Sequence, residues 1–520
     1  MSGSIGNLER QVLPRWRSAT DTAEVGELRS LRPAQVDARQ LADLDDKELE
    51  WHANPGLSIA AEFVAASLMS LAPERSTDAA TFILGKGPDN SLIARLAYRS
   101  LDRQSESHNG SSTQLDLDEL KPFSKVAELK RLIRFDPRNA MAWCDLALQY
   151  SILGQPIQAA DSMSMAQRLA PTNRFVLRSA ARHWVHAGDI ERAHRLLIPV
   201  ARSSSDPWLM AAELAVASAG QRSPRSVKAA RLLLESQRVS AFNTTELASA
   251  LATLELAAGE TKRAKRLFAH ALADPTENSL AQVEWASLRL KGLTVSDKAL
   301  SQPGAHEARA RMFTELQRWE PAVDEAWLWL LDQPFSEGPA AFGSCIAEMG
   351  VKDFKRAAQI AQQGLQANPR SPILLNNLAF AQIELGFTDQ AEKNLKLIAA
   401  PALTDDQDGA TWRATVGLLA FRKGDRFGGR SRYQEAIEAA RKLGNRERQA
   451  MAAIMLAREE WRLDGPGATP FIRLAAELTK GQTDALLKLC LQLLLTEVQK
   501  PSVELSPDSS VSDSAIHGSA

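Results

Sequence analysis

Between Asn139 and Pro171 the chain spaces bulky and small residues in a way that two short antiparallel helices satisfy. Trp143, Leu146, Ala147 and Tyr150 follow the pattern W-x2-L-A-x2-Y. Gly154 breaks the chain, Ala159, Met163 and Ala166 recur at helical spacing, and Pro171 closes the unit. Large side chains on the first helix interlock with small ones on the second, so the two backbones approach closely.

The same template returns along the chain. Ala181, Trp184, Gly188, Ala193 and Leu197 mark the next unit, and a looser one runs from Trp208 to about Gln237. Leu251, Ala252, Gly259, Ala264, Phe268 and Pro275 mark a further unit, followed by a first helix over Leu280–Leu290. From Lys291 to Gly304 the phase fails, and there is room for at most a short helix. Counting back from the later units makes His306–Gln317 a first helix, so the spacing predicts a truncated partner and a bend here. Beyond it, Ala322, Ala326 and Trp329, then Ala357 and Ala361, then Pro372–Ala400 restore the period. Leu486–Thr496 is apolar enough to predict a buried end cap.

This pattern resembles the tetratricopeptide repeat, a helix-turn-helix unit of about 34 residues. The resemblance runs over residues 86–460. It implies an all-α, right-handed superhelical solenoid with a helical N-terminal cap and a disordered C-terminal tail. The expected divisions are 1–85, either a cap or a small separate module; 86–303, a first array with a loop insertion at 102–114; 304–499, a second array; and 500–520, the tail.

Composition bounds the function. The 520 residues are 44% hydrophobic and 24% charged, with 62 basic against 63 acidic side chains, a net charge of −1. That balance argues against a nucleic-acid binder working through a broad positive field. Cys144, Cys345 and Cys490 are too far apart for a disulfide framework, and no signal peptide or apolar run of spanning length occurs. A cytoplasmic protein is expected, and a composition rich in Ala, Leu and Arg suits a bacterial one.

No enzyme, cofactor or metal is expected. Gly85-Lys86-Gly87 lacks the residues of a phosphate loop, no G-x-S-x-G occurs, and His183, His186 and His194 match no zinc spacing. In the family, first helices line a concave groove that holds a peptide or a partner's helix. On that basis Met141, Cys144 and Leu148 form an apolar strip. Arg174, Arg178, Arg182 and His186, four apart, form a cationic stripe beside it. The pair suits an acidic helix or tail of a protein partner, unless Asp145 and Glu213 neutralise the stripe internally. Asn376 and Asn377 either bond a bound peptide's main chain or form a solvated pair. Basic runs at Arg222–Arg231, Lys262–Arg266 and Arg422–Arg432 read as solvated faces. The alternative function, a helical-repeat nucleic-acid binder or regulator, would use those same runs.

Overall fold

The computed structural model describes residues 10–18, 38–70, 72–86, 97, 100–101, 122–203, 206–236, 238–398 and 407–499. The expected insertion at 102–114 and the tail after residue 500 lie outside them. Among the described residues the regular structure is helical throughout, and no helix is long and apolar enough to cross a membrane. The chain divides into two compact units, residues 2–402 and 403–520.

The first unit begins with α1 (Ala38–Ala53), α2 (Leu57–Met69) and α3 (Thr77–Lys86). These helices close on a core of their own, built on Leu44, Trp51, Phe63, Val64 and Ile83. After α4 (Pro122–Phe135) come the hairpins α5 (Ala140–Ile152)/α6 (Pro156–Leu169), α7 (Arg174–His186)/α8 (Ile190–Ser203), α9 (Pro207–Ala219)/α10 (Val227–Ser236) and α11 (Ala241–Ala257)/α12 (Thr261–Ala271). The reason for each start is local. Asn139, Asn173, Asp206 and Ser240 accept a hydrogen bond from a first-turn amide. Between the helices of two hairpins, Gly154 and Gly188 turn with φ of 66° and 81°, a conformation that costs glycine nothing. The small residues read from the spacing are buried: Ala159, Met163 and Ala166 on α6, and Ala193 and Leu197 on α8.

At the break in phase, α13 (Glu277–Ser287) is followed by α14 (Asp297–Leu300), a single turn standing where a second helix would be. The stack is nevertheless continuous there, because Leu280, Ala281, Leu300, Ala305 and Ala308 share one cluster. Then come α15 (His306–Glu315)/α16 (Trp319–Asp332), α17 (Glu337–Ile346)/α18 (Phe354–Ala367) and α19 (Pro372–Glu384)/α20 (Thr388–Leu397). The stack returns on itself: α5 touches α18, and a Cβ on Gly154 would lie 2.6 Å from the Gln366 carbonyl oxygen.

The second unit holds α21 (Gln407–Arg422), α22 (Arg426–Lys442), α23 (Arg446–Asp464), α24 (Thr469–Thr479) and α25 (Ala485–Gln499). Its last helix is amphipathic, not wholly buried as expected. Leu486, Leu487, Cys490 and Leu494 face inward, and Leu495 is exposed, because among the described residues of this unit no further helix packs on the outer face.

One local conflict is informative. After α17 a π turn, Ala347–Val351, buries Glu348 with neither carboxylate oxygen bonded. Burial, aided by Glu384, pushes its pKa up to about 8. Between the ordinary carboxyl value and about 8, the unfolded chain has lost this proton while the folded chain keeps it. Stability therefore falls as pH rises through that window. Glu348→Gln should flatten that fall, gaining a few degrees of melting temperature over wild type between pH 5 and pH 8. Parallel melting curves for the two proteins would refute this.

Candidate functional site

The concave face of the first unit is occupied by the chain itself. Residues 10–18 form no helix; they run extended, and burial alternates along them, with Val12, Pro14 and Trp16 buried and their neighbours partly exposed. That is the period-two pattern of an extended strand with one buried face. Val12 joins Met210, Leu214, Leu247 and Leu251 from α9 and α11. Trp16, 1% exposed, sits in a cluster drawn from α5, α7, Phe335 and Ala367. Its ring meets the edges of His183 and Phe335 at centroid distances of 5.4 and 5.1 Å.

Side-chain amides of α13 hold the main chain of this segment. Asn278 Nδ2 donates to the Leu13 carbonyl at 2.9 Å, and Gln282 Nε2 donates to the Arg10 carbonyl at 2.8 Å. The arginines then meet carboxylates. Arg10 donates two parallel bonds to Glu307 (2.7 and 2.8 Å), with further bonds to Gln282 Oε1 and Asn278 Oδ1. Arg15 donates to Asp332 at 2.7 Å and lies 3.6 Å from Glu307. Arg17 forks onto Asp332 (2.7 and 3.0 Å) and also pairs with Glu277. Ser18 donates to Asp145 at 2.8 Å.

The electrostatics are those of a seat built for cations. Burial alone would raise the carboxyls of Glu277, Glu307 and Asp332. The arginines Arg17 and Arg15 beside Glu277 and Asp332, and Arg10, Arg311 and Arg15 beside Glu307, outweigh it and hold all three below their ordinary values. By the linkage sign, the stability they contribute is present above the ordinary carboxylate range and is lost only as pH falls through the depressed values. Arg182, buried close by with no carboxylate bond of its own, is pushed down to about 10 by burial and then by Arg15.

The hairpins, their interlocking bulky and small residues and their turn glycines recur through the stack, and residues 128–160 match the sequence profile of the tetratricopeptide repeat. The described helices form a tetratricopeptide-like repeat stack. No curated protein matches it at significant sequence similarity. Among solved structures it is similar to Cut9 in the anaphase-promoting complex hetero-tetramer Cut9–Hcn1, with TM-score 0.37, 10% identity, 87% of this chain and 92% of that one. It is also similar to the human IFIT1 dimer with PPP-AAAA (TM-score 0.32, 14% identity, 88% and 100%). Yeast Tom70 is a third (TM-score 0.31, 15% identity, 89% and 96%). TM-scores this low carry nothing from those proteins to this chain.

Within the tetratricopeptide groove, the residues expected from sequence fall into two sets. Cys144 and Leu148 are buried in the cluster that receives Trp16, and Met141 packs at its margin. The cationic stripe is internally paired, though not by Asp145 and Glu213. Arg174 donates to Asp206 at 2.6 Å and Arg178 to Glu246 at 2.8 Å, because each arginine reaches the following units, one or two along the stack. Arg182 lies over the Phe335 ring and donates to Ser336. His186 meets the edge of Phe335, and burial, then Arg182, lowers its pKa to about 4. Asp145 instead accepts from Ser18, and Glu213 bonds His194 and the amides of Arg225 and Ser226.

Asn376 and Asn377 are buried, not solvated. Asn377 donates to Ser344 at 2.9 Å, while neither side-chain atom of Asn376 has a partner. The basic run Arg422–Arg432 is not a bare face either: Arg422 pairs with Glu459, Arg426 and Arg430 with the buried Glu460, and Arg426 also with Asp464. Arg222 and Arg231 pair with Glu191 and Glu255. Among the described residues no three His, Cys, Asp or Glu side chains lie close enough to hold a metal.

Sequence reasoning missed residues 10–18, Glu277, Asn278, Gln282, Glu307 and Asp332. The one available signal was the alternation Val12, Pro14, Trp16 against Leu13, Arg15, Arg17. If the arginines hold the segment in place, Glu307→Gln should destabilise the seated state by about 2 kcal/mol. Trypsin would then cut after Arg10, Arg15 or Arg17 roughly 30-fold faster at low protease. An unchanged cleavage rate at those bonds would show that Glu307 does not hold them.

Proposed function

We propose that this protein is an interaction scaffold whose first-unit groove receives an extended segment of a protein partner. The observation that supports this reading is the bonding of the Leu13 and Arg10 carbonyls by Asn278 and Gln282. Amide side chains that read the main chain of an extended segment accept many sequences, while the flanking pockets select among side chains. The groove offers both: an amide pair on α13, an apolar well for Trp16 and a line of carboxylates.

The charge of the partner follows from what is already paired. Arg174 and Arg178 are engaged by Asp206 and Glu246, and Arg182 is buried against Phe335, so the stripe offers little to an acidic helix or tail. Glu277, Glu307 and Asp332 face the occupant, which favours a basic segment. The basic runs at Arg222–Arg231 and Arg422–Arg432 have carboxylate partners, which weakens the nucleic-acid reading. A non-catalytic, cytoplasmic role is consistent with the repeat architecture.

The test uses the full chain with its own segment unseated. Arg15→Glu with Arg17→Glu places like charges against Glu277, Glu307 and Asp332. This variant should bind a fluorescein-labelled peptide of residues 9–18 one to one, with saturating anisotropy. Adding Asn278→Ala and Gln282→Ala should weaken that binding by tenfold or more, since two hydrogen bonds at about 1 kcal/mol each are lost. A folded variant that shows no saturable binding would refute the reading.

A further inference from the structure

The groove described above is closed by the chain's own residues, and the chemistry of those residues specifies what opens it. Resting on the scaffold reading, we infer that the partner enters by displacing residues 10–18. To do so it presents an extended segment with arginines on both sides of a tryptophan and a third arginine six positions before that tryptophan.

Three observations carry this. First, the segment is joined to the groove as a ligand is. It forms no secondary structure and inserts alternate side chains. It makes polar contacts to the groove side chains Asn278, Gln282, Glu307, Asp332, Glu277 and Asp145. Second, the seat is specific. The bidentate Arg10–Glu307 pair and the fork of Arg17 on Asp332 fit planar guanidinium and not an ammonium. Trp16 fills a well at 1% exposure. Third, the contacts at the two ends are unequal. The Arg17 side chain remains 24% exposed against 11% for Arg10. The Ser18 end is therefore where a competitor gains its first hold.

A segment tethered within reach of its own seat acts at an effective concentration on the order of millimolar. A free peptide of equal affinity must therefore reach roughly 1 mM to displace half of it, and a partner with contacts outside the seat needs less. The own segment thus sets a threshold that only a matching partner crosses.

The experiment keeps the full chain and its native seat. Gln11→Cys places a thiol on the segment at a residue that makes none of these contacts, while Cys144, Cys345 and Cys490 are buried. A fluorophore attached there reports release as a fall in anisotropy. An unlabelled peptide of residues 9–18 should lower the anisotropy saturably, with a midpoint of roughly 1 mM. The same peptide with its tryptophan replaced by alanine, or its arginines by lysine, should need at least tenfold more.

Anisotropy that stays flat at every peptide concentration, while the unseated double variant binds that peptide, would overturn displacement and leave the scaffold reading standing. Absence of binding to both proteins would remove the scaffold reading too. Equal release by the lysine peptide would overturn the arginine specificity. Release on raising the protein concentration alone, with a doubled mass, would overturn the partner in favour of a second copy of this chain.

Discussion

Carboxylates withdrawn from water need cations, and the concave face of this stack withdraws Glu277, Glu307 and Asp332 beside the arginines of residues 10–18. Glu307 is buried, and Glu277 and Asp332 are mostly so. Left alone, each would have to take up a proton or draw in water, since an unpaired buried charge costs several kcal/mol. Arg10, Arg15 and Arg17 supply the missing charge, and Arg311 adds a third cation beside Glu307 at 3.1 Å. The rest of the groove is arranged around that exchange. The α13 amides align the backbone that carries the arginines, and Trp16 is buried beside them against His183 and Phe335.

The same constraint explains the arginine stripe. Arg174, Arg178 and Arg182 stand on the groove face of α7, where carboxylates of later units can reach two of them. Only Arg182, beside Phe335 and Arg15, lacks such a partner, and its lowered pKa follows from that position. Cation meets anion across neighbouring helices, so the groove presents to its occupant the carboxylates that the stripe leaves over.

The repeat architecture was legible because it rests on local spacing. Interlocking pairs such as Trp143 with its small neighbours, and turn glycines such as Gly154, recur within one hairpin. The truncated helix at Asp297–Leu300 was legible for the same reason, as a local failure of phase. A family template assigns Met141, Cys144 and Leu148 to the groove position by position, and in the structure they pack in or beside the cluster that holds Trp16. The occupant was not legible. Val12, Pro14 and Trp16 alternate as a strand does, yet among the described residues no strand pairs with them; side chains of the groove bond the main chain at Arg10 and Leu13 instead. The carboxylates were invisible for a different reason. Glu277, Glu307 and Asp332 lie on α13, α15 and α16, each resembling an ordinary charge at a helix end, and only the curvature of the stack brings them together.

Charge seats residues 10–18 in the groove, and a double-mutant cycle between Arg10 and Glu307 tests this most directly. Unfolding free energies of wild type, Arg10→Ala, Glu307→Ala and the double variant in the full chain give the coupling between two residues far apart in sequence. A seated segment predicts a coupling of about 1 kcal/mol or more, because each single change leaves the other charge stranded. Additive effects, with no coupling beyond about 0.3 kcal/mol, would contradict it.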